Sequence, residues 1–466
     1  MHESPPARSW PDSRAVWRWH FYAGLFCIPF VVILSLSGAV YLFKAEIEAW
    51  EERRYDTLRT PDAVLPPSAQ VGAALATFPG SRFEGYEMPV GPGHAARVML
   101  RYAGDGATVG APPRPGSGTL RTYVDPADGT VLGSVWDRDR LMRLVFRIHG
   151  ELLMGDRGSN LVEIAACWTI VMVLTGLVLW WPRHRRGLAG VAWPRLHGGR
   201  RLFWRDVHAV TAAWLSLVTL LFIGSGLPWA KSWGDWLKTA RRWTGTAAVG
   251  QEWSNEKGRA AGAATGGGHG GHDGHDGRRT AALGADGLAA LDRVAAVVAP
   301  LGLEAPVVLA PAGNGSGGDW TAKSMTANRP KRVTLLVDPR RGVVVSRDDF
   351  ATKHSIDRAV AVGVALHEGR LFGRLNQVLG LVTALGLVVV CGSAVWLWLR
   401  RRDPGTLGAP PAGVPARRCA TLVAALVVMG VVLPLFGLSL VAVLAVERLV
   451  LRRLPGVAAW LGLADA

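Results

Sequence analysis

The chain has 466 residues, of which 49% are hydrophobic and only 19% charged, below the quarter or so usual in soluble globular proteins. The apolar residues collect in long uncharged runs, which excludes an ordinary soluble enzyme and a disordered chain. The net charge of +16 would suit nucleic acid, but the arginines concentrate in short loops between the runs, where they report membrane topology.

Five uncharged runs follow one another: Phe21–Phe43, Ile164–Trp181, Ala209–Ala230, Leu375–Leu399 and Cys419–Val446. A helix needs about 20 residues to cross a bilayer, so the first four fit one span each. The fifth is too short for two spans and reads as one long or tilted helix, with Pro434 as a possible kink. The segment 182–207 carries seven arginines, 400–418 carries five, and Arg8, Arg14 and Arg18 precede the first span. The positive-inside rule makes these pieces cytoplasmic and the long polar segments 44–160 and 231–373 external. The expected order is an N-terminal segment with the first span (1–43), outer domain (44–160), span (161–181), basic loop (182–207), span (208–230), second outer domain (231–373), span (374–399), loop (400–418), span (419–446) and tail (447–466). The first run lacks a small-residue cleavage site before Lys44, so it reads as an uncleaved span.

The chain reads as a duplication. His20 is followed by Ser37-Gly38 and His208 by Ser225-Gly226 at the same spacing. His149 is followed by Gly155 and Trp180, and His367 by Gly373 and Trp398, again at matching spacings. Each outer segment holds a Val-Asp-Pro-x-x-Gly turn between strand-like runs, at Val124–Gly129 and Val337–Gly342. Upstream of each lies a short helix, about 68–78 and 286–299. The predicted fold is therefore an α-helical membrane bundle of five spans, four of them in two parallel repeats, with two small α+β domains outside. The Gly/His stretch 261–278 is an insertion in the second.

Histidines at membrane depth are functional candidates, and neutral imidazole is a common axial ligand of haem iron. His20 and His208 occupy equivalent cytoplasmic ends, and His149 and His367 equivalent outer ends. A span is roughly 30 Å long, so one haem cannot join the two faces. The pairs His20 with His208 and His149 with His367 would hold two stacked haems. Without a CxxCH motif these are b-type. Arg18, Arg205, Arg147 and Arg370 stand near the four histidines as candidate propionate partners. Gly24, Gly38, Gly176, Gly226, Gly380 and Gly386 are small residues for close helix approach.

Other features carry less. His269, His272 and His275 lie in a Gly/His/Asp tract that reads as a flexible insertion, or as a weak divalent-metal site. Gly313–Gly318 fits GxGxxG, but the following DWTAKSM reads as a strand, so it is a loop. Cys27, Cys167, Cys391 and Cys419 form no CxxC pair. The sequence offers no Walker A, HExxH or GxSxG motif.

The first span WRWHFYAGLFCIPFVVILSLSGAVYLFK, the HGELLMGDRG and LHEGRLFG segments and the VDPxxG hairpins resemble the PepSY-associated transmembrane family, over residues 15–402. The family includes bacterial inner-membrane iron-uptake proteins, among them two-haem ferric-siderophore reductases. The resemblance implies PepSY-like outer domains, two haems b on His20, His208, His149 and His367, and reduction of a periplasmic ferric siderophore or similar chelate. The electron donor would be quinol or a cytoplasmic reductase, since no flavin domain is present. Two other readings remain open at this point: a binding protein whose PepSY-like domains take a protease or peptide, and a permease without haem. None of the three involves nucleic acid.

Overall fold

The computed structural model describes residues 12–60, 62–102, 118–182, 187–246, 284–312, 318–410 and 420–463. His184, His269, His272, His275 and Cys419 lie outside the described residues. The first half of the chain gives α1 (Ser13–Tyr41), α2 (Lys44–Glu52), α3 (Pro67–Thr77), β1 (Arg82–Glu87), β2 (Ala96–Tyr102), β3 (Gly118–Val124), β4 (Val131–Trp136), α4 (Leu141–Glu151) and α5 (Asp156–Trp180). The second gives α6 (Arg200–Gly226), α7 (Lys231–Trp243), α8 (Ala285–Val298), β5 (Val307–Pro311), β6 (Trp320–Ser324), β7 (Thr334–Asp338), β8 (Val343–Asp348), α9 (Ser355–His367) and α10 (Arg374–Arg401). After these come α11 (Ala420–Val432), α12 (Pro434–Leu449) and α13 (Pro455–Leu461). The chain divides into a helical unit, residues 1–42, 146–245 and 374–466, and a sheet unit, residues 43–145 and 246–373.

In the helical unit, α1, α5, α6 and α10 form a closed ring in which α1 packs on α5, α5 on α6, α6 on α10 and α10 on α1. Each of the four is long and apolar enough to cross a membrane. Asp12 caps α1 by accepting from the Ala15 amide at 2.8 Å. Pro29 sits inside α1, as transmembrane helices tolerate.

The fifth run is not one helix. Pro434 disfavours helical geometry at the residue before it, and Leu433 is extended, with φ −123° and ψ 81°. The chain turns back there, and a Cβ on Gly437 would lie 3.1 Å from the Cα of Gly430. The 13 residues of α11 rise about 20 Å, short of a bilayer core. The fifth helix of spanning length is instead Pro434–Arg453. The turn seats Leu433 and Phe436 against Cys167 and Leu227, and the Trp233 indole N–H donates to the Val432 carbonyl at 3.0 Å. The C-terminal residues thereby return to the start of α1, where Arg18 donates to the carbonyls of Pro410 and Gly462 and Tyr22 to that of Leu461.

The sheet unit differs from two separate domains. It is one eight-stranded sheet, ordered β4-β3-β2-β1-β5-β6-β7-β8, with every neighbouring pair antiparallel. A four-stranded half would leave β1 or β5 as an open edge, and pairing the two satisfies both. Tyr86 faces Leu309 and Glu87 faces Val308 at this seam. Helices α3 and α8 supply Val71, Leu291 and Val294 to the shared core with Leu100, Leu309 and Val337. Both VDPxxG turns have one geometry. Asp125 accepts from the Ala127 amide and Asp338 from the Arg340 amide, while Gly129 (φ 80°) and Gly342 (φ 65°) close the turns. The β3–β4 and β7–β8 ladders both shift register at the motif valine, Val124 and Val337.

One face of β2 and β3 carries buried charge. Arg97 donates to Glu52 at 2.9 Å and to Asp56 at 2.8 Å, Arg121 pairs with Glu87 at 3.0 Å, and Arg140 reaches Glu52 at 2.9 Å. Tyr55 stacks on Tyr123 beside them, centroids 3.9 Å apart. Burial alone would raise the Glu52 pKa, but Arg121, Arg97 and Arg140 outweigh it and hold the carboxyl below its usual range. The stabilisation is therefore present above the unfolded pKa of about 4.3 and is lost as pH falls through the lower folded value. Glu52→Gln is expected to destabilise the sheet unit by about 3 kcal/mol at neutral pH, because it removes a carboxylate charge shared by Arg97 and Arg140 while both stay buried. It is also expected to flatten the acid limb of stability. Thermal unfolding of the detergent-purified protein between about pH 3 and 7 checks both; equal melting of the two proteins at neutral pH would show the network to be dispensable.

Candidate functional site

Two of the candidate histidines meet inside the helical ring. His20 on α1 and His208 on α6 stand with ring centroids 6.3 Å apart and planes at 81°. Their helices alternate with α5 and α10 around the ring, and those two helices hold the imidazoles from behind. His20 Nδ1 lies 3.0 Å from the Met172 carbonyl and 3.1 Å from Thr175 Oγ1. His208 Nδ1 lies 3.1 Å from the Val390 carbonyl and 3.3 Å from Ser393 Oγ. A carbonyl only accepts, so each Nδ1 carries the proton and each Nε2 keeps its lone pair. That is the tautomer a metal ligand needs.

The partners behind the two rings occupy equivalent places. His149 and His367 are 218 residues apart in sequence, and so are Met172 and Val390, and Thr175 and Ser393. The sequence reading did not single out these four residues. The shared offset was the signal that could have found them. Trp180 and Trp398, 218 apart as well, each donate an indole N–H to a carbonyl of the following loop, Val191 at 3.2 Å and Leu407 at 2.8 Å.

His149, near the end of α4, belongs to the helical unit. Its Nδ1 lies 3.1 Å from Ser37 Oγ on α1, and a Cβ on Gly38 would stand 3.1 Å from its Cε1. The repeated Ser-Gly dipeptide thus gives His149 a hydroxyl and a gap. His367 ends α9 and belongs to the sheet unit. Gly176 plays the Gly38 part for His20, where a Cβ would come within 3.0 Å of Cε1.

The four arginines have assorted partners. Arg18 is buried and donates to Pro410 and Gly462. Arg205 is half-exposed and touches Asp206 at 3.1 Å. Arg370 pairs with Glu46 at 2.9 Å within the sheet unit. Arg147 is partly buried on α4. Two acidic residues lie buried in the spans. Glu163 Oε2 accepts from the Ser232 and Trp233 amides at the start of α7, both at 3.1 Å. Asp206, two residues before His208, accepts from the Arg195 amide and guanidinium and pins the 187–199 loop.

These features define a multi-pass helical membrane protein with a β-sheet unit and paired histidines inside its helical ring. The family described as PepSY-associated TM region matches residues 17–401, and the chain belongs to it. No curated protein matches the sequence.

The gap beside His20 is testable. Gly176→Ala must displace the His20 ring by a few tenths of an ångström, and overpacking of this kind costs about 1–3 kcal/mol. A lowered melting temperature in detergent is expected, and it should recover when His20 is also made Ala. An unchanged melting temperature in Gly176→Ala would show that the ring has slack.

Proposed function

We propose that the protein is a two-haem-b oxidoreductase of the bacterial inner membrane that carries electrons across the bilayer and reduces a ferric chelate, a ferric siderophore, on the periplasmic side. The observation that carries this reading is the crossed His20–His208 pair with both Nδ1–H groups anchored. The two rings stand with centroids 6.3 Å apart inside the helical ring and would hold a haem iron through their Nε2 atoms. A pair of imidazoles without further protein donors also suits a metal whose remaining positions a macrocycle fills. Among the described residues no group of three or more His, Cys, Asp and Glu could hold a metal ion.

His20 and His208 would hold one haem, and His149 and His367 are the candidate ligands left for a second. Haem b between two imidazoles supplies a one-electron ferric/ferrous couple. The chain's own part is to bind, orient and keep water out. The apolar ring excludes solvent, and Met172 and Val390 fix the imidazole planes. Arg18, Arg205, Arg147 and Arg370 are the candidate arginines for propionates; Arg18 also donates to Pro410 and Gly462, Arg205 to Asp206 and Arg370 to Glu46. By the positive-inside rule the arginine-rich loops support a cytoplasmic His20 end, and the sheet unit would then meet the chelate in the periplasm. Hard oxygen donors hold ferric iron more tightly than ferrous, so one-electron reduction loosens the metal. Quinol or a cytoplasmic reductase would supply the electrons.

An optical spectrum of the purified protein, oxidised and then reduced, tests the reading. Two b-type haems per chain are expected. His20→Ala should lose one and His149→Ala the other, each with loss of ferric-chelate reduction. Protein expressed with ample haem that carries none would sink it.

A further inference from the structure

We infer that three side-chain hydroxyls, Thr175, Ser393 and Ser37, are positioning residues that set the electron affinity of the histidine sites. This rests on the haem reading above and goes beyond it, because none of the three is a ligand. Each hydroxyl has one proton, and in each case the helix backbone takes it. Thr175 Oγ1 donates to the Val171 carbonyl at 2.7 Å. Ser393 Oγ donates to Val390 at 2.8 Å. Ser37 Oγ donates to Ile33 at 2.6 Å. The oxygen is then left with lone pairs only, and in each case it stands within 3.1 to 3.3 Å of an imidazole Nδ1. At His20 and His208, whose Nδ1 also faces a carbonyl, the imidazole is then the donor, and the Ser37 bond to Ile33 gives His149 the same sense. Back-bonding to the preceding turn is an ordinary habit of Ser and Thr in apolar helices. Here the same bond turns the hydroxyl into a fixed acceptor aimed at a ring.

An acceptor on Nδ1–H raises the basicity of Nε2. A more basic ligand favours the ferric state and lowers the reduction potential. The inner pair has a carbonyl as well as a hydroxyl behind each ring, so losing the hydroxyl weakens the acceptor set without emptying it. Thr175→Val keeps the shape and removes the acceptor. Ser393→Ala does the same at the equivalent place.

The experiment is a spectroelectrochemical titration of the full-length detergent-purified protein and of the Thr175→Val/Ser393→Ala double variant, with haem counted per chain. The variant is expected to keep both haems and to titrate one of them at higher potential, so that the oxidised-to-reduced ratio at a fixed applied potential falls several-fold. Thr175→Ser with Ser393→Thr restores both hydroxyls and should restore the wild-type potential, which a purely space-filling role would not require. Ser37→Ala should move the other haem and leave the first unchanged. Unshifted potentials in variants that hold both haems would overturn the inference and leave the haem reading intact. Wild-type protein without haem would overturn both.

Discussion

No water reaches the hydrocarbon core of a bilayer, so a polar group on α1, α5, α6 or α10 is costly there unless it finds a partner inside the bundle. That constraint explains why the imidazoles are tied as they are. An unpaired Nδ1–H at that depth would cost several kcal/mol. The nearest acceptors are carbonyls at the turns of the adjoining helix, Met172 and Val390, and hydroxyls one turn further on. Once Nδ1 is satisfied in this way, the ring cannot rotate without breaking two contacts. The orientation of each histidine is thus a by-product of solvent exclusion, and it leaves Nε2 available.

The same constraint decides how much of the molecule was legible in its sequence. Four spans could be read because a bilayer demands about 20 uncharged residues, and the runs from Phe21, Ile164, Ala209 and Leu375 supply them. The fifth run could not be read from composition, since a hairpin and a tilted helix have the same apolar content. Only the backbone at Leu433, with Gly430 against Gly437, separates them. The strands and the VDPxxG turns were legible from local chemistry, but the pairing of β1 with β5 was not. Those strands are more than 200 residues apart, and nothing in either states which edge it will meet. His20 and His208 could be singled out as residue types at matching positions. The atoms that hold them are a backbone carbonyl and a hydroxyl on a third and a fourth helix, which periodicity does not distinguish from any other Val, Thr or Ser facing the core.

The matching sequence positions differ where charge is concerned. Arg18 and Asp206 each stand two residues before an inner histidine, with opposite sign. Both are buried, and both fasten a segment at the same end of the bundle: Arg18 the C-terminal turn through Gly462, Asp206 the 187–199 loop through Arg195. A buried charge is costly unless paired, and each is matched to what packs beside it, carbonyls for the cation and a guanidinium for the anion. What persists is the need for a polar anchor at that place, not the identity of the residue.

What the ring can carry depends on which of its polar groups can change partners. An ion-coupled permease needs carboxylates that can take up and release a cation or proton along the path. Glu163 and Asp206 are buried acidic side chains in the spans, and each has a structural task. Glu163 caps α7 through Oε2, and Asp206 is bound by a bidentate arginine. Moving either charge would release α7 or the 187–199 loop. The imidazoles are fixed as firmly, through Nδ1, but with the opposite consequence. Their remaining nitrogen is left free to bind without any anchor being undone. Imidazoles held through Nδ1 keep a lone pair on Nε2, which suits the electron-carrying role proposed for the ring.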